Sequence, residues 1–382
     1  MMRELIIFGA SGSIGQQALQ IIKTNPNDFT LRVVSVYHNV AVLDEMLETF
    51  PTITMVHVAN ATEQTVFAVN YPTITFVIGE AGFDQILTTF RTAMVLNAIG
   101  GFAGLYPTLQ TLEGYNRTLL LANKESLVLA GDLINKLLEE HQNQLFPIDS
   151  EHCAIFQCLE QKNPVQEIIL TASGGMFAEK TLTELTMIDE SQALCHPNWQ
   201  MGQNITIDSS TMVNKAFEII EVYHLFKTKN ITVVIHPQSI LHSAVQYEDY
   251  SILAQLSLPS MIQVLNYFFY YPLRKKNNLL KPLDFNDLIT LTFQKADLSR
   301  WKALTLAYRC LNKNNALAVA FHTANEQLRL LFLAGKIKFY QIVDYIEFFM
   351  DKIKPQKLSN YQQIKQLNDT IKREIINYFS KK

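Results

Sequence analysis

The stretch Glu4-Leu5-Ile6-Ile7-Phe8-Gly9-Ala10-Ser11-Gly12-Ser13-Ile14-Gly15 decides the fold of the amino-terminal part of the chain. Its first five residues predict a short buried strand, and a turn of small residues follows at once. From Gln16 to Lys23 the apolar residues recur at helical spacing, and Asn25-Pro26 ends the pattern. A strand, a glycine turn and a helix in this order are the setting of a dinucleotide site, where backbone N–H groups meet a pyrophosphate. The candidate contacts in this turn are Ser11, Gly12, Ser13 and Ile14.

The glycine spacing of this turn is G-x-x-G-x-x-G, so an ordinary tight strand-to-helix turn remains an alternative. The second predicted strand, Leu31 to Tyr37, ends in His38-Asn39. NAD-binding sites usually carry an acidic residue at this point, which holds the ribose 2′-hydroxyl. Its absence removes a group that would repel a 2′-phosphate, so we expect NADPH as the cofactor, with His38 and Asn39 beside it. A plain surface histidine is the other interpretation of His38.

Strands and helical patterns continue to alternate and predict a Rossmann-like, doubly wound and mostly parallel sheet. Lys124 follows one of these strands, at the carboxyl edge where such sheets bind ligands. A solvated first helical turn is the alternative for Lys124 and Glu125. The further predicted strands are Met55 to Val58, Ile74 to Ile78, Ala93 to Asn97 and Thr118 to Leu121.

Composition limits the classes of function. The chain has 382 residues, which suggests two or three domains. Its net charge is −3 and 18% of its residues are charged, so nothing indicates nucleic acid or an anionic membrane as a partner. The four cysteines form no paired motif, which is typical of free thiols in a reducing, cytoplasmic setting. The apolar run near the amino terminus is too short for a signal peptide, and we expect no membrane span.

A second informative stretch is Phe146-Pro147-Ile148-Asp149-Ser150-Glu151-His152. In an extended segment Asp149 and Glu151 would point to the same side. At about 4 Å and an effective dielectric of 20, the repulsion between two such carboxylates is about 4 kcal/mol. A shared proton, wide exposure to water or a shared divalent cation would relieve it, and we expect the cation.

Asp208 to Glu221 is the third dense segment. If the chain is helical from Asn214, then Asn214, Glu218 and Glu221 share one face and Lys215 neighbours Glu218. Ser209, Asn214 and Lys215 could then hold a phosphate while Glu218 faces a cation. An amphipathic helix with surface charges is the alternative. The chain has no H-E-x-x-H motif, and carboxylate and hydroxyl donors suit Mg²⁺ or Mn²⁺ better than Zn²⁺.

The rest of the chain completes the predicted architecture. The turn Thr171 to Gly175 is suited to an anion, and the aperiodic segment Phe177 to Leu194 predicts a mobile flap. Trp199, at the end of this segment, could be a lid or a core residue. Three closely spaced strands after residue 230 predict a largely antiparallel layer, whose outer face could carry a dimer contact. We expect a Rossmann-like domain (1–145), a central α/β catalytic domain (146–285), a linker (286–299) and a C-terminal helical bundle (300–382).

Taken together, the motifs resemble the 1-deoxy-D-xylulose 5-phosphate reductoisomerase family. They occur in the family's order over most of the chain. The whole set is specific to this family, whereas no single motif would be. The motifs that carry the resemblance are Gly9 to Gly15, Leu121-Ala122-Asn123-Lys124-Glu125-Ser126, Asp149-Ser150-Glu151-His152, His196-Pro197-Asn198-Trp199, Asp208 to Glu221 and His236-Pro237-Gln238-Ser239.

The resemblance implies a reaction: 1-deoxy-D-xylulose 5-phosphate becomes 2-C-methyl-D-erythritol 4-phosphate by metal-assisted rearrangement, and NADPH then delivers a hydride. It implies a homodimer in the non-mevalonate isoprenoid pathway. The implied residue roles form four groups: metal ligands Asp149, Glu151 and Glu218; phosphate ligands Ser173, Ser209, Asn214 and Lys215; positioning residues Lys124, Ser150 and Glu221; and flap residues His196, Trp199 and Met201. Asn123, Glu125, Gly202 and Met261 are further candidate cofactor contacts.

Two other classes of function stay open at this point. Another NADP-dependent oxidoreductase, such as a homoserine or semialdehyde dehydrogenase, would share the first domain, but the second cluster of carboxylates and lysine argues against it. A nucleotide-binding regulator without turnover is the non-enzymatic alternative. Cofactor binding without turnover of any substrate would identify the regulator.

Overall fold

The computed structural model describes residues 2–37, 39–160, 163–177, 180, 182–185, 188, 190–193, 202–287, 290–311 and 315–381. The strands are β1 (Arg3–Phe8), β2 (Phe29–Ser35), β3 (Met55–Val58), β4 (Thr75–Ile78), β5 (Met94–Asn97), β6 (Thr118–Leu121), β7 (Gln144–Pro147), β8 (Val165–Ala172), β9 (Ile231–Ile235), β10 (Leu241–Tyr247), β11 (Ile252–Leu256) and β12 (Gln294–Lys295).

Helices cover most of the remaining described chain, with short 3₁₀ turns at Val40–Val42 and Phe102–Gly104. The helices are α1 (Ser13–Thr24), α2 (Leu43–Thr49), α3 (Ala61–Asn70), α4 (Gly79–Thr89), α5 (Leu105–Glu113), α6 (Lys124–His141), α7 (Ser150–Cys158), α8 (Leu182–Leu185), α9 (Glu190–Ala193), α10 (Gln203–Ser210), α11 (Val213–Phe226), α12 (Met261–Tyr270), α13 (Lys302–Leu311), α14 (Ala316–Leu333), α15 (Gln341–Met350) and α16 (Tyr361–Ser380).

The first of two compact units contains Met1–Ser126, Ile134–Cys153 and Ser260–Lys281. Its seven-stranded sheet has the order β4-β3-β2-β1-β5-β6-β7, and every neighbouring pair is parallel. The strand order therefore reverses beside β1, and the carboxyl ends of β1 and β5 form the switch point at which doubly wound sheets bind ligands. Leu5, Ile6, Ile7 and Phe8 are fully buried, as a central strand requires.

Helix α12 falls within the central domain (146–285) that we expect from the sequence. In the structure it belongs to the first unit. Helix α12 packs against α1, and the Tyr270 hydroxyl donates to Asp28 at 2.6 Å. The Arg3 guanidinium donates to the carbonyl of Phe269. These contacts hold residues 260–281 against the amino-terminal sheet, although the chain reaches them only after passing through the second unit.

The second unit contains Leu127–Leu133, Ala154–Pro259 and Pro282–Lys382. Its five-stranded sheet has the order β11-β10-β8-β9-β12, in which β8 and β9 are parallel and the other pairs are antiparallel. The predicted antiparallel layer therefore holds for most of the sheet. One continuous hydrophobic core joins β8, β9 and β10 to α11 and to the C-terminal helices.

The fold class predicted from the sequence is confirmed, because parallel strands, a second α/β layer and C-terminal helices are all present. The numbered division at residues 145, 285 and 299 stays a prediction. Among the described residues, none of the helices combines the length and apolar character needed to cross a bilayer.

Candidate active site

The turn between β1 and α1 has the close backbone packing of a dinucleotide site. Gly9 has φ +82°, and a Cβ there would lie 2.6 Å from the carbonyl oxygen of Ala98. A Cβ on Gly15 would lie 2.3 Å from the carbonyl oxygen of Gly9. Both positions therefore require glycine. Gly12, at the start of α1, is exposed and extended, with φ −80° and ψ 171°. The first N–H groups of α1, which have no partner within the helix, follow it.

A second backbone segment, Ala98 to Gly101, is clamped to the amino end of α6. The side chain of Asn123 accepts from Ser126 N at 3.0 Å and caps the helix. Its amide group donates to the carbonyl of Ile99 at 2.7 Å, and Glu125 accepts from Gly101 N at 3.0 Å. Asn123 is only 2% exposed, so its side chain is engaged in holding this loop. The geometry favours a supporting role for Asn123, and cofactor contact by Asn123 or Glu125 stays a prediction.

The other predicted cofactor contacts have mixed positions. Asn39 and Gly202 are exposed, and Gly202 precedes the first residue of α10. Met261 is the half-buried first residue of α12. His38 lies outside the described residues, so its predicted place near the 2′-phosphate is not described.

The prediction that Asp149 and Glu151 lie in an extended segment is wrong. Helix α7 starts at Ser150, and Asp149 caps it: Asp149 Oδ1 accepts from the backbone N–H groups of Glu151 at 3.1 Å and His152 at 3.2 Å. The two carboxylates converge because one caps the helix and the other lies in its first turn. Aspartate is a preferred N-cap residue, and its place directly before a helical pattern is the sequence signal that could have revealed this.

Cationic and polar partners surround these two carboxylates. Lys124 Nζ lies 3.1 Å from Asp149 Oδ2, and the buried His152 places Nδ1 3.0 Å from Asp149 Oδ1. Ser150 Oγ donates to Glu151 Oε2 at 2.5 Å. Lys124, which follows β6 at the carboxyl edge of the sheet, therefore lies beside this acidic stretch.

Helix α11 confirms the one-face arrangement expected from the sequence. Asn214 Nδ2 donates to Glu218 Oε1 at 2.6 Å, and Lys215 Nζ donates to Glu218 Oε2. Glu218 is 1% exposed, Lys215 is 4% exposed and Glu221 is 3% exposed. A buried carboxylate needs compensating charge and hydrogen bonds, which Lys215 and Asn214 supply. The alternative of a helix with solvated surface charges is excluded for these residues.

Asp149, Glu151 and Glu218 each offer a carboxylate oxygen, and the three oxygens lie within 4.8 Å of one another. At this separation and a dielectric of 20, each pair of negative charges repels by about 3.5 kcal/mol. Three carboxylate oxygens converging on one point form the donor set that Mg²⁺ or Mn²⁺ prefers. The residues present therefore fit a divalent cation.

The predicted phosphate residues lie in two segments of the second unit that pack together. Gly174 and Gly175 have positive φ, +90° and +70°, and a Cβ on Gly175 would lie 2.7 Å from the carbonyl oxygen of Ser209. Ser173 Oγ accepts from Gly175 N at 3.3 Å. The turn that carries Ser173 thus lies directly against the end of α10 that carries Ser209. The predicted flap residues His196, Trp199 and Met201 lie outside the described residues.

Sequence reasoning missed one buried network next to this region. Asp208, 9% exposed, pairs with Arg329 at 2.6 Å and accepts from Asn325 at 3.0 Å. Arg329 is 121 residues away in the chain, so no local pattern could have connected it to Asp208.

Comparison with known proteins identifies the family. Residues 5–131 match the family profile 1-deoxy-D-xylulose 5-phosphate reductoisomerase, residues 145–226 match its C-terminal domain, and residues 256–374 match the DXP reductoisomerase C-terminal domain. Among curated proteins, the 1-deoxy-D-xylulose 5-phosphate reductoisomerase of Geobacillus sp. (strain WCH70) is 40% identical over 98% of this chain and 99% of its own length. The protein of that name from Phocaeicola vulgatus is 39% identical over 95% of both chains.

Solved structures agree with the sequence comparisons. A crystal structure of DOX-P reductoisomerase in complex with NADPH, fosmidomycin and magnesium is 33% identical, with a TM-score of 0.94, and the match covers 99% of this chain and 98% of the other. The enzyme of Zymomonas mobilis in complex with NADPH is 31% identical with a TM-score of 0.91, over 99% of each chain. The chain therefore belongs to the 1-deoxy-D-xylulose 5-phosphate reductoisomerase family.

Proposed function

We propose that this chain is an NADPH-dependent reductoisomerase that converts 1-deoxy-D-xylulose 5-phosphate to 2-C-methyl-D-erythritol 4-phosphate. Full-length similarity to the named relatives supports the reaction, and the convergence of Asp149, Glu151 and Glu218 within 4.8 Å is the observation that carries it. The acidic group beside the buried Lys215 argues against a semialdehyde or homoserine dehydrogenase.

Asp149, Glu151 and Glu218 would hold Mg²⁺ or Mn²⁺. A divalent cation supplies Lewis-acid polarisation of an adjacent carbonyl and hydroxyl, and it orients the substrate while its carbon skeleton rearranges. Asp149 is already fixed for this role by the cap of α7, and Glu218 is fixed by Asn214. Carboxylates that are held in place before the ion arrives need little movement of their own on binding.

Lys124 and Lys215 would exchange partners when the site fills. Lys124 pairs with Asp149 and Lys215 with Glu218, so each lysine neutralises a carboxylate that a cation would otherwise neutralise. When the divalent cation takes over that charge, the two ammonium groups can turn to the substrate. Lys124 would then donate to a substrate oxygen, and Lys215 would donate to the phosphate.

The phosphate of the substrate would be held by Ser173, Ser209, Asn214 and Lys215. The first two supply hydroxyl donors, and Gly175 lets their segments approach each other closely. Asn214 and Lys215 lie at the amino end of α11, where the helix dipole also favours an anion. Binding energy from this distant group would orient the reacting carbons without contacting them.

NADPH would supply the hydride for the reduction step. Its pyrophosphate would lie against Ser11, Gly12, Ser13 and Ile14, because Gly9 and Gly15 permit close approach of the backbone there. The exposed Asn39 would lie beside the adenosine ribose. Glu125 would hold the Ala98–Gly101 segment in place at the same edge of the sheet.

An exposed sheet edge and the buried cysteines bear on how the chain assembles and where it works. The edge strand β11 exposes Ile252 and Leu253, 53% and 39% accessible, which supports a homodimer contact through this sheet. Cys153, Cys158 and Cys310 are buried free thiols, which supports a reducing, cytoplasmic setting. We expect no nucleic acid or membrane partner, since the net charge is only −3.

The test is NADPH oxidation followed at 340 nm with the purified chain. Turnover should require both 1-deoxy-D-xylulose 5-phosphate and Mg²⁺ or Mn²⁺, and 2-C-methyl-D-erythritol 4-phosphate should form in equal amount. Full turnover in excess chelator would refute the metal role. Binding of NADPH without turnover of this sugar phosphate would favour the regulator instead.

A further inference from the structure

We propose that Asp208 is a positioning residue that fixes the phosphate-binding Ser209 by anchoring the end of α10 to Arg329 and Asn325 on α14. The inference rests on the proposed function and deepens it, because it explains what holds one phosphate ligand in place.

The carboxylate of Asp208 is held in one orientation. Arg329 Nη1 lies 2.6 Å from Asp208 Oδ2, and Asn325 Nδ2 lies 3.0 Å from Asp208 Oδ1. Each oxygen therefore has its own donor. Asn325 and Arg329 are four residues apart on α14 and share one face. All three residues are at least nine-tenths buried.

Helix α14 is a firm anchor for this network. Its residues are buried almost throughout. Phe321 meets Phe217 of α11 edge to face, with 5.1 Å between ring centroids. An element packed on several sides moves little, so groups bonded to it inherit its position.

Asp208 adds a polar anchor to a segment whose Ile207 and Met212 already pack in the hydrophobic core. Helix α10 ends at Ser210, and Met212 then takes the left-handed conformation, φ +60°, before α11 begins. A non-glycine residue in this region is uncommon and persists where surrounding contacts hold it. Ser209 follows Asp208 directly, and its carbonyl lies against Gly175. A shift of this last helical turn would therefore displace Ser209 and the start of α11 together.

The charge of the network also suits a neighbouring phosphate. Arg329 neutralises Asp208, so the residue next to Ser209 adds no net negative charge. A buried ion pair is weak evidence for stability, and in some proteins it specifies the register between packed elements. A fixed register between α10 and α14 is the contribution that a phosphate ligand on α10 needs.

The experiment compares Asp208→Asn, Arg329→Gln, their double variant and Arg329→Lys with the wild-type chain. We expect KM for 1-deoxy-D-xylulose 5-phosphate to rise about tenfold in the first three variants, with kcat within threefold of wild type and unchanged affinity for NADPH. The double variant should be no worse than either single variant, because one network is broken in each case. Arg329→Lys keeps the charge and one donor, so its KM should stay within threefold of wild type.

Thr323→Val is the matched control. It removes a buried hydrogen bond from the same helix without touching Asp208, so it should lower the thermal midpoint and leave KM unchanged. An unchanged KM in both Asp208→Asn and the double variant would overturn the inference. A KM in Thr323→Val that rises as much as the KM of Asp208→Asn and of the double variant would also overturn it.

Calorimetric titration with inorganic phosphate separates this inference from the proposed function. If the wild-type chain fails to turn over the sugar phosphate, the proposed function is wrong. Weaker phosphate binding in Asp208→Asn than in Thr323→Val would still support the positioning role, and equal binding would refute it.

Discussion

Replacement of Lys215 by methionine should tighten the binding of Mg²⁺ while it weakens the binding of the sugar phosphate. Lys215 and Glu218 form a buried ion pair. Lys215 is 4% exposed and Glu218 is 1% exposed. Methionine has a similar length but no charge, so Glu218 is left buried without its cation. Leaving one charge of a buried pair uncompensated costs about 3–5 kcal/mol.

A divalent cation at Glu218 restores the missing positive charge. If about 3 kcal/mol of the cost is recovered on binding, the dissociation constant of Mg²⁺ falls by about 100-fold, since each 1.4 kcal/mol is a factor of ten. Without Mg²⁺, the thermal midpoint of Lys215→Met should therefore lie below that of wild type. Added Mg²⁺ should raise the midpoint of the variant by more than it raises that of wild type. The KM for the sugar phosphate should rise, because a phosphate ligand is lost.

Mg²⁺ affinity can be measured by calorimetry and by competition with Mn²⁺ in electron paramagnetic resonance. Lys302→Met is the matched control: it removes the same group from an exposed pair with Asp344 and Glu347, and it should leave Mg²⁺ affinity unchanged. Unchanged or weaker Mg²⁺ binding in Lys215→Met would refute the view that Lys215 and the cation compete for Glu218.

Three further predictions follow from the described contacts. Glu151→Gln should abolish turnover and leave NADPH binding nearly intact by fluorescence titration; retained turnover would contradict its role as a metal ligand. Gly15→Ala should lose NADPH binding, because its Cβ would lie 2.3 Å from the Gly9 carbonyl, whereas Gly12→Ala, at 3.3 Å from the same oxygen, should lose less; equal losses would contradict this. Burial lowers the pKa of His224 to about 4. Between pH 6.5 and 4 the unfolded chain therefore binds up to one more proton than the folded chain. The free energy of unfolding falls by about 3 kcal/mol as the pH drops through this window. His224→Gln should flatten the pH dependence of the urea midpoint.

The sequence predicted the parts of the site that depend on local spacing. The strand, turn and helix of the dinucleotide site follow from residues 4 to 23, and the one-face arrangement of Asn214 and Glu218 follows from the helical repeat. Both are local patterns, and the structure confirms both: α1 starts at Ser13, and Asn214 bonds to Glu218.

Contacts between distant parts of the chain were beyond sequence reasoning. The anchoring of α12 to the first unit depends on Tyr270 and Asp28, which are 242 residues apart. The pairing of Asp208 with Arg329 likewise depends on tertiary packing. The error at Asp149 had a different origin, because two carboxylates at i and i+2 fit a strand and a capped helix equally well until the capping hydrogen bonds are known.

The central claim is that Asp149, Glu151 and Glu218 share one divalent cation. Anomalous diffraction from crystals grown with Mn²⁺ tests it most directly. We predict one strong peak with an oxygen of each carboxylate about 2.0–2.2 Å away, within the range for hard-cation ligands. A peak elsewhere, or a Mn²⁺ ion at Asp149 and Glu151 that Glu218 does not contact, would contradict the claim.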